Sequence, residues 1–442
     1  MSHRINRRKF FRDSALAGFS IYIVRNGFGA ESTSPSEKIN FACIGAGGKG
    51  EGEVDDCANH GNLVALCDVD DEKAKKTYKK YPDVPKFKDY RVMLAKLGKQ
   101  IDAVTVSTPD HIHAPAAIRA MSMGKHVFVQ KPLTRTVWEA RQLALAAKKY
   151  KLATQMGNQG TASGGLRRAV ELLHAGVLGP VKRLHIWTNR PIWPQGLDRP
   201  EKEEPVPETL DWKMWLGPAP SRPHNKCYYP FNWRGWYDFG TGALGDMACH
   251  TLNMPYWGLK LAYPTSVEAK ITKLWKETFP EGSVVQYYFP EREGMSALQM
   301  TWYDGTMKPN AEQLGLPEGE KVSGSGALVV GEKGMMYSDG DYGDKWHLLP
   351  KELDEEAKKV SETIPRSGNH FKEWVDAIKD GKPAMSNFPD YACKLTEIVT
   401  LGCVAQRLPD RKIEWDGEEM KAKNCPEAAA LIKPEFPRGW WI

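Results

Sequence analysis

The run Ile39-Asn-Phe-Ala-Cys-Ile44 passes directly into Gly45-Ala-Gly47-Gly-Lys-Gly50, and that junction constrains the fold more than any other feature of the chain. Three glycines in this spacing suit a tight turn at Gly45, close approach of backbone to a pyrophosphate at Gly47, and helix-on-strand packing at Gly50. In a chain with 40 glycines the pattern alone is weak. It gains weight from a second apolar run, Leu63 to Cys67, which ends in Asp68, 23 residues after Gly45. A carboxylate there accepts hydrogen bonds from the adenosine ribose and repels a 2′-phosphate, so the spacing predicts NAD rather than NADP.

The alternation continues downstream. Lys73 to Tyr81 and Asp89 to Leu97 read as helices, Ala103 to Ser107 as a strand ending in Thr108-Pro109-Asp110, Ala114 to Met123 as a helix, and His126 to Val129 as a strand. This predicts a doubly wound parallel sheet whose ligand lies at the strand ends Gly45, Asp68, Thr108 and Gln130-Lys131-Pro132. From Val181 the character changes. Val181 to Trp187, Ser266 to Leu274, Ser283 to Phe289, Ser296 to Tyr303 and Ala327 to Met336 read as strands of a mostly antiparallel sheet. The expected fold class is α/β. A Rossmann domain over 38–157 precedes a C-terminal α/β domain with a large, mostly antiparallel sheet over 158–442.

Residues 1–37 read differently. Arg7-Arg8-Lys9-Phe10-Phe11-Arg12, the apolar run Ala15 to Val24 and the small residues Gly27 to Ala30 resemble a twin-arginine export signal, the alternative being a basic N-terminal helix. Residues 31–37, ESTSPSE, read as a linker. The expected location is therefore periplasmic. Five of the six formal positive charges belong to residues 1–30, so the body is close to neutral and carries no nucleic-acid footprint. No run is apolar enough for stable membrane insertion. The eight cysteines show neither a C-x-x-C pair nor a metal spacing, so no metal is expected. Fifteen tryptophans, concentrated between Trp187 and Trp302, suit either sugar-binding faces or packing.

The segment STPDHIHAPAAIRAMSMGKHVFVQKPLT, taken with the glycine fingerprint, resembles the Gfo/Idh/MocA oxidoreductase family. That resemblance implies an NAD-dependent dehydrogenase acting on a small carbohydrate. It also implies an open sheet face used for homo-oligomerisation, as a dimer or tetramer. Thr108, Pro109 and His113 would lie along the nicotinamide side, and Lys131 would contact both cofactor and the reacting hydroxyl. Gln130 departs from the family's usual Glu-Lys-Pro, and loss of that carboxylate predicts a less strongly held ammonium. The helix at His370 to Asp380 and the segment Tyr391 to Arg407 resemble the family's closing helices, the latter packing back on the first domain.

A second polar group occurs in GTGALGDMACHTLNMPYWG. Asp246 and His250 share a helix face, and Asn253 is expected to continue it, as a core network or as the wall of a site. By the resemblance, His250 would exchange the hydroxyl proton, Asp246 would orient the imidazole or contact substrate, and Lys131 would stabilise the developing alkoxide. Within the aromatic stretch Pro191 to Asp238, Trp233, Arg234 and Tyr237 read as sugar contacts, beside Asn253. Three functions remain open: an exported oxidoreductase of a sugar or glycoside hydroxyl, C3 oxidation to a 3-keto-glycoside being one form; a glycosidase working by transient C3 oxidation and elimination; and a cofactor-dead binding protein, disfavoured because the whole constellation is present.

Overall fold

The computed structural model describes residues 38–440, and the twin-arginine motif, the apolar run and the linker lie outside the described residues. Six strands, β1 (Ile39–Ile44), β2 (Gly61–Cys67), β3 (Lys86–Phe87), β4 (Ala103–Val106), β5 (His126–Val129) and β6 (Thr154–Met156), pair in parallel in the order β3-β2-β1-β4-β5-β6. This is the doubly wound order that opens a ligand crevice at the carboxyl ends of the strands.

The connecting helices are α1 (Gly50–His60), α2 (Asp71–Lys80), α3 (Tyr90–Leu97), α4 (Asp110–Ser122) and α5 (Val137–Tyr150). Side-chain caps explain several of their starts. Asp70 accepts from the backbone N–H of Glu72, Asp89 from that of Arg91, and Thr136 with Glu139 forms a capping box. Helix α4 starts at Asp110, upstream of the expected Ala114. Pro109 holds φ at −58° at the entrance, and an acid in the first turn complements the helix dipole. His111 and His113 are therefore helical and buried.

The second sheet has nine strands: β7 (Val181–Trp187), β8 (Ser266–Ile271), β9 (Gly282–Phe289), β10 (Leu298–Gly305), β11 (Gly326–Gly331), β12 (Met335–Asp339), β13 (His347–Leu349), β14 (Ile413–Asp416) and β15 (Lys421–Ala422). Their order is β13-β12-β11-β7-β10-β9-β8-β14-β15, and only the β7–β10 pair is parallel. The single strand expected over Ala327 to Met336 is a hairpin, because Gly331-Glu-Lys-Gly334 reverses the chain and Val330 pairs with Met335. Apolar residues on both sides of the turn hide the reversal from a periodicity argument.

Four longer helices follow, α6 (Gly164–His174), α7 (Gly242–Thr251), α8 (His370–Asp380) and α9 (Cys393–Arg407), with shorter helical turns between them. Trp374 of α8 packs against Phe41 of β1 and Phe128 of β5, with ring centroids 5.8 and 5.7 Å away. Helix α9 joins the two sheets. Glu397 pairs with Arg141 of α5 at 2.8 Å, and Gln406 donates to Ser283 of β9 at 2.7 Å. The stretch Pro191 to Asp238 is ordered around its own apolar cluster of Leu210, Trp212, Trp215, Tyr228, Trp236 and Phe239. Packing thus accounts for many of the tryptophans, Trp187, Trp236, Trp302 and Trp374 being fully buried. No helix among the described residues is long and apolar enough to cross a membrane.

Candidate active site

A cavity of about 590 Å³ runs from the glycine turn, past the carboxyl ends of β2, β4 and β5, to α7. Its volume lies within the ~300–1,000 Å³ range usual for small-molecule sites. At one end the N–H of Gly45, whose φ is +84°, donates to Cys67 at 2.8 Å. A Cβ on Gly50 would lie 1.9 Å from the carbonyl of Gly45, and one on Gly47 would lie 2.4 Å from that of Lys73. The turn can close on α1 only without side chains. Asp68 accepts from the backbone N–H groups of Ala46 at 2.9 Å, Gly47 at 3.0 Å and Asp70 at 3.0 Å. Burial raises its carboxyl above the ordinary range, and those three donors oppose the rise. The strand-end acid therefore also holds the glycine turn in shape.

The aromatic stretch closes over this end. Thr209 accepts from the N–H of Asp71 at 3.2 Å and from Nζ of Lys88 at 2.5 Å, Asp211 donates its N–H to Val69 at 2.8 Å, and the hydroxyl of Tyr229 donates to Asp70 at 2.5 Å. Residues of the second half thereby form a strap on the chain immediately after Asp68.

At the other end Lys131 donates to Oδ1 of Asp246 at 2.7 Å and to its carbonyl at 3.0 Å. Arg234 Nε lies 3.2 Å from the same Oδ1, and its second arm reaches Asp110 at 3.1 Å. Thr241 donates to the other oxygen of Asp110 at 2.7 Å. Burial works to raise the Asp246 carboxyl, but the charges of Arg234 and Lys131 outweigh it and hold the group well below the usual carboxylate range. The weak hold on Lys131 expected from Gln130 is not found, because Asp246 grips the ammonium. The amide of Gln130 instead donates to Glu53 of α1 at 2.6 Å, and Lys49 neutralises that carboxylate at 2.7 Å.

His250 is 4% exposed, lines the cavity, and its Nδ1 has no partner among the described residues. Burial and the charge of Lys131 push its pKa well below the ordinary value, against the smaller opposing pull of Asp246. Asp246 does not orient the ring, its carboxylate being engaged by Lys131 and Arg234. The edge-on neighbour of the imidazole is Tyr342, 4.9 Å between centroids.

Thr108 and Pro109 line the cavity, and so do Trp233 and Arg234, with the guanidinium 4.3 Å from the Trp233 ring centroid. Three expected contacts lie elsewhere. His113 sits behind the wall, its ring nitrogens 2.8 Å from the carbonyls of Pro132 and Thr108, where it ties the β4 and β5 ends together. Asn253 is fully buried among Asn158, Thr161 and Tyr391. Pro255 cannot donate back to Thr251, so the helix breaks after α7 and turns Asn253 into the core. Tyr237 packs on Phe279 and beneath Arg407. Arg190, Asp341 and Tyr342, none of them expected from the sequence, line the same end. They come from irregular segments without periodicity, so no local signal marked them.

A model described as the oxidoreductase family's NAD-binding Rossmann fold matches residues 39–158, and one described as that family's C-terminal alpha/beta domain matches 185–277. Both models are those of the Gfo/Idh/MocA oxidoreductase family, and these two stretches of the chain match it. It is similar to a glycosyl hydrolase family 109 protein of Shewanella sp., 31% identical over 33% of this chain and 38% of that protein. It is also similar to a levoglucosan dehydrogenase of Pseudarthrobacter phenanthrenivorans, 25% identical over 35% of this chain and 32% of that one. The chain thus spans about a third of the length of these curated relatives. The fold matches the WlbA dehydrogenase of Bordetella pertussis, solved with NADH and UDP-GlcNAcA, with a TM-score of 0.59 at 15% identity over 86% of this chain and 99% of that one.

The NAD-binding domain over residues 39–158 is intact in its details. The glycine turn, the start of α1 at Gly50 and the Asp68 carboxylate fit a dinucleotide, with Gly45, Gly47 and Gly50 as the cradle. Replacing Asp68 with Ala is expected to weaken NAD binding by roughly 10- to 100-fold, the value of a charge-assisted hydrogen bond, and to narrow the preference over NADP. Titration of cofactor fluorescence checks this. Equal affinity of the unmodified protein for NAD and NADP would remove Asp68 as the selector.

Proposed function

We propose that the protein oxidises a secondary hydroxyl of a sugar or glycoside, with His250 taking the hydroxyl proton and Lys131 stabilising the alkoxide oxygen. The observation that carries this reading is the buried, unpartnered imidazole beside the Lys131–Asp246 pair, at the far end of a cavity that begins at the glycine turn. A neutral imidazole is the form that accepts a proton, and burial keeps His250 neutral. Lys131, held at 2.7 Å by Asp246, is oriented by that carboxylate, and Arg234 shares the negative charge so that the ammonium is not fully neutralised. NAD, when bound, supplies the two-electron hydride acceptor. The C–H bond then gives up hydride, the O–H bond gives its proton to His250, and a ketone remains. Similarity to a levoglucosan dehydrogenase supports a carbohydrate substrate.

A second reading has support in the similarity to glycosyl hydrolase family 109 proteins. Transient oxidation at C3 acidifies the neighbouring C–H, the anomeric substituent leaves by elimination, water adds, and the hydride returns. Screening glycosides for both 3-keto product and released aglycone separates the two. Ketone without aglycone supports the dehydrogenase, and aglycone without net cofactor reduction supports the glycosidase.

The twin-arginine leader supports export in the folded, cofactor-loaded state to the periplasm. No substantial free NAD pool exists there, so the cofactor must stay bound over many turnovers. The strap formed by Thr209, Asp211 and Tyr229 supports such retention. NAD is expected to co-purify with protein taken from the periplasm, and Tyr229→Phe, which removes the hydrogen bond to Asp70, to speed NAD dissociation roughly tenfold. Free exchange of labelled NAD on every turnover would overturn retention.

A further inference from the structure

Around His250 the cavity carries four cationic side chains among the described residues, and each has an acid beside it, Lys49 being paired with Glu53 at 2.7 Å. Lys131 is paired with Asp246, Arg234 with Asp246 and Asp110, and Arg190 with Asp341 at 3.3 Å. A substrate carboxylate or phosphate would find no unpaired cation among these and would face Asp246 and Asp341. An uncharged hydroxylated ring meets the opposite situation. The Arg190–Asp341 pair is only partly exposed, at 23% and 25% for the two side chains, and it offers donor and acceptor side by side, a pattern suited to vicinal hydroxyls.

Asp341 and Tyr342 belong to the loop between β12 and β13, and the fold aims that loop at the site. The N–H of Gly340 donates to Ser325 at 2.8 Å, Ser338 donates to the carbonyl of Lys345 at 2.9 Å, and Trp346 donates its indole N–H to Gly165 at 2.9 Å. Gly165 permits this closeness, since a Cβ there would lie 1.9 Å from the carbonyl of Asp344. The result is an aromatic ring, 40% exposed, set edge-on against His250 within the cavity. Such a ring covers the apolar C–H face of a pyranose while leaving its hydroxyls free.

We propose that the site takes an uncharged pyranoside and rejects uronic acids and sugar phosphates, with the loop Gly340–Lys345 as the specificity element: Tyr342 covers the ring, and the Arg190–Asp341 pair binds adjacent hydroxyls. The proposal rests on the carbohydrate reading above, and its test is chosen to be independent of turnover. Binding of methyl gluco-, galacto- and mannopyranosides and of the matching methyl uronosides to the NAD-loaded protein is measured by calorimetry. At least one neutral glycoside is expected to bind ten times or more tighter than its uronoside. Asp341→Asn frees Arg190 and is expected to reverse or erase that ratio, by tenfold or more. Tyr342→Ala is expected to weaken glycoside binding tenfold or more in the same calorimetric measurement, and Tyr342→Phe to restore it. A wild-type preference for uronosides, no binding of any neutral glycoside, or an Asp341→Asn ratio equal to wild type overturns the proposal. Tight, selective binding of a glycoside without oxidation overturns the oxidoreductase reading while supporting the specificity assignment.

Discussion

Lys131→Ala and His250→Ala are each expected to lose turnover by about 100- to 10,000-fold, the usual cost of removing one acid/base or electrostatic group, with the protein still folded and NAD-bound. Neither side chain lies in the glycine cradle, so cofactor fluorescence titration serves as the control. The two variants differ in pH behaviour. In the intact protein, burial and Lys131 depress the His250 pKa. The base is therefore unprotonated at neutral pH, and kcat/KM for oxidation should hold a plateau down past ~6.5, the ordinary imidazole value, before it falls. Removing the Lys131 charge lets the His250 pKa rise, so the acid limb of the residual activity in Lys131→Ala moves to higher pH. Near-normal rates in either variant, or an acid limb that moves to lower pH in Lys131→Ala, would remove the assigned roles.

Arg234→Met is expected to destabilise the protein by about 3 kcal/mol or more, since deleting one partner of a buried ion network leaves uncompensated charge. Asp110 is 1% exposed and Asp246 is 7% exposed. With the guanidinium gone, Asp110 retains Thr241 and Asp246 retains Lys131, which places the expected loss at the lower end of the range for buried pairs. Met keeps the apolar stem but gives up the guanidinium over the Trp233 ring, so the loss reports the charged head, its ion pairs and its stacking together. Thermal unfolding measures it as a fall of several degrees in Tm. The double replacement Arg234→Met with Asp110→Asn tests the mechanism, because neutralising the stranded acid should recover part of the lost stability. A Tm unchanged within about 1 °C in the single variant would show that solvent, not Arg234, compensates these carboxylates.

The sequence by itself determined the elements whose meaning is local. The Ile39 to Gly50 junction, the strand-end acid Asp68 and the helix-strand alternation each depend on contacts within a few residues or on a repeat period, so they were readable without a neighbour. The same held for Asp246 and His250, which share a face because an α-helix turns once in ~3.6 residues. Whether such a face meets a cavity or a core was decided by distant packing. Asn253 belonged to the same expected stripe, yet Pro255 broke the helix and Asn158, Thr161 and Tyr391 drew the amide inward. Tyr237 and Trp233 were equal candidates in one irregular stretch, and only the positions of Phe279 and Arg407 sent Tyr237 away from the site. The carboxylate absent at Gln130 stood in space at Glu53, and the grip on Lys131 came from Asp246, 115 residues along the chain. Arg190, Asp341 and Tyr342 met only in the folded protein, because irregular segments carry no period and their side chains are aimed by backbone contacts such as that of Asp344 on Gly165. Charge pairing between remote segments is a tertiary property, and so the local pattern named the cofactor while the fold selected which polar groups face the substrate.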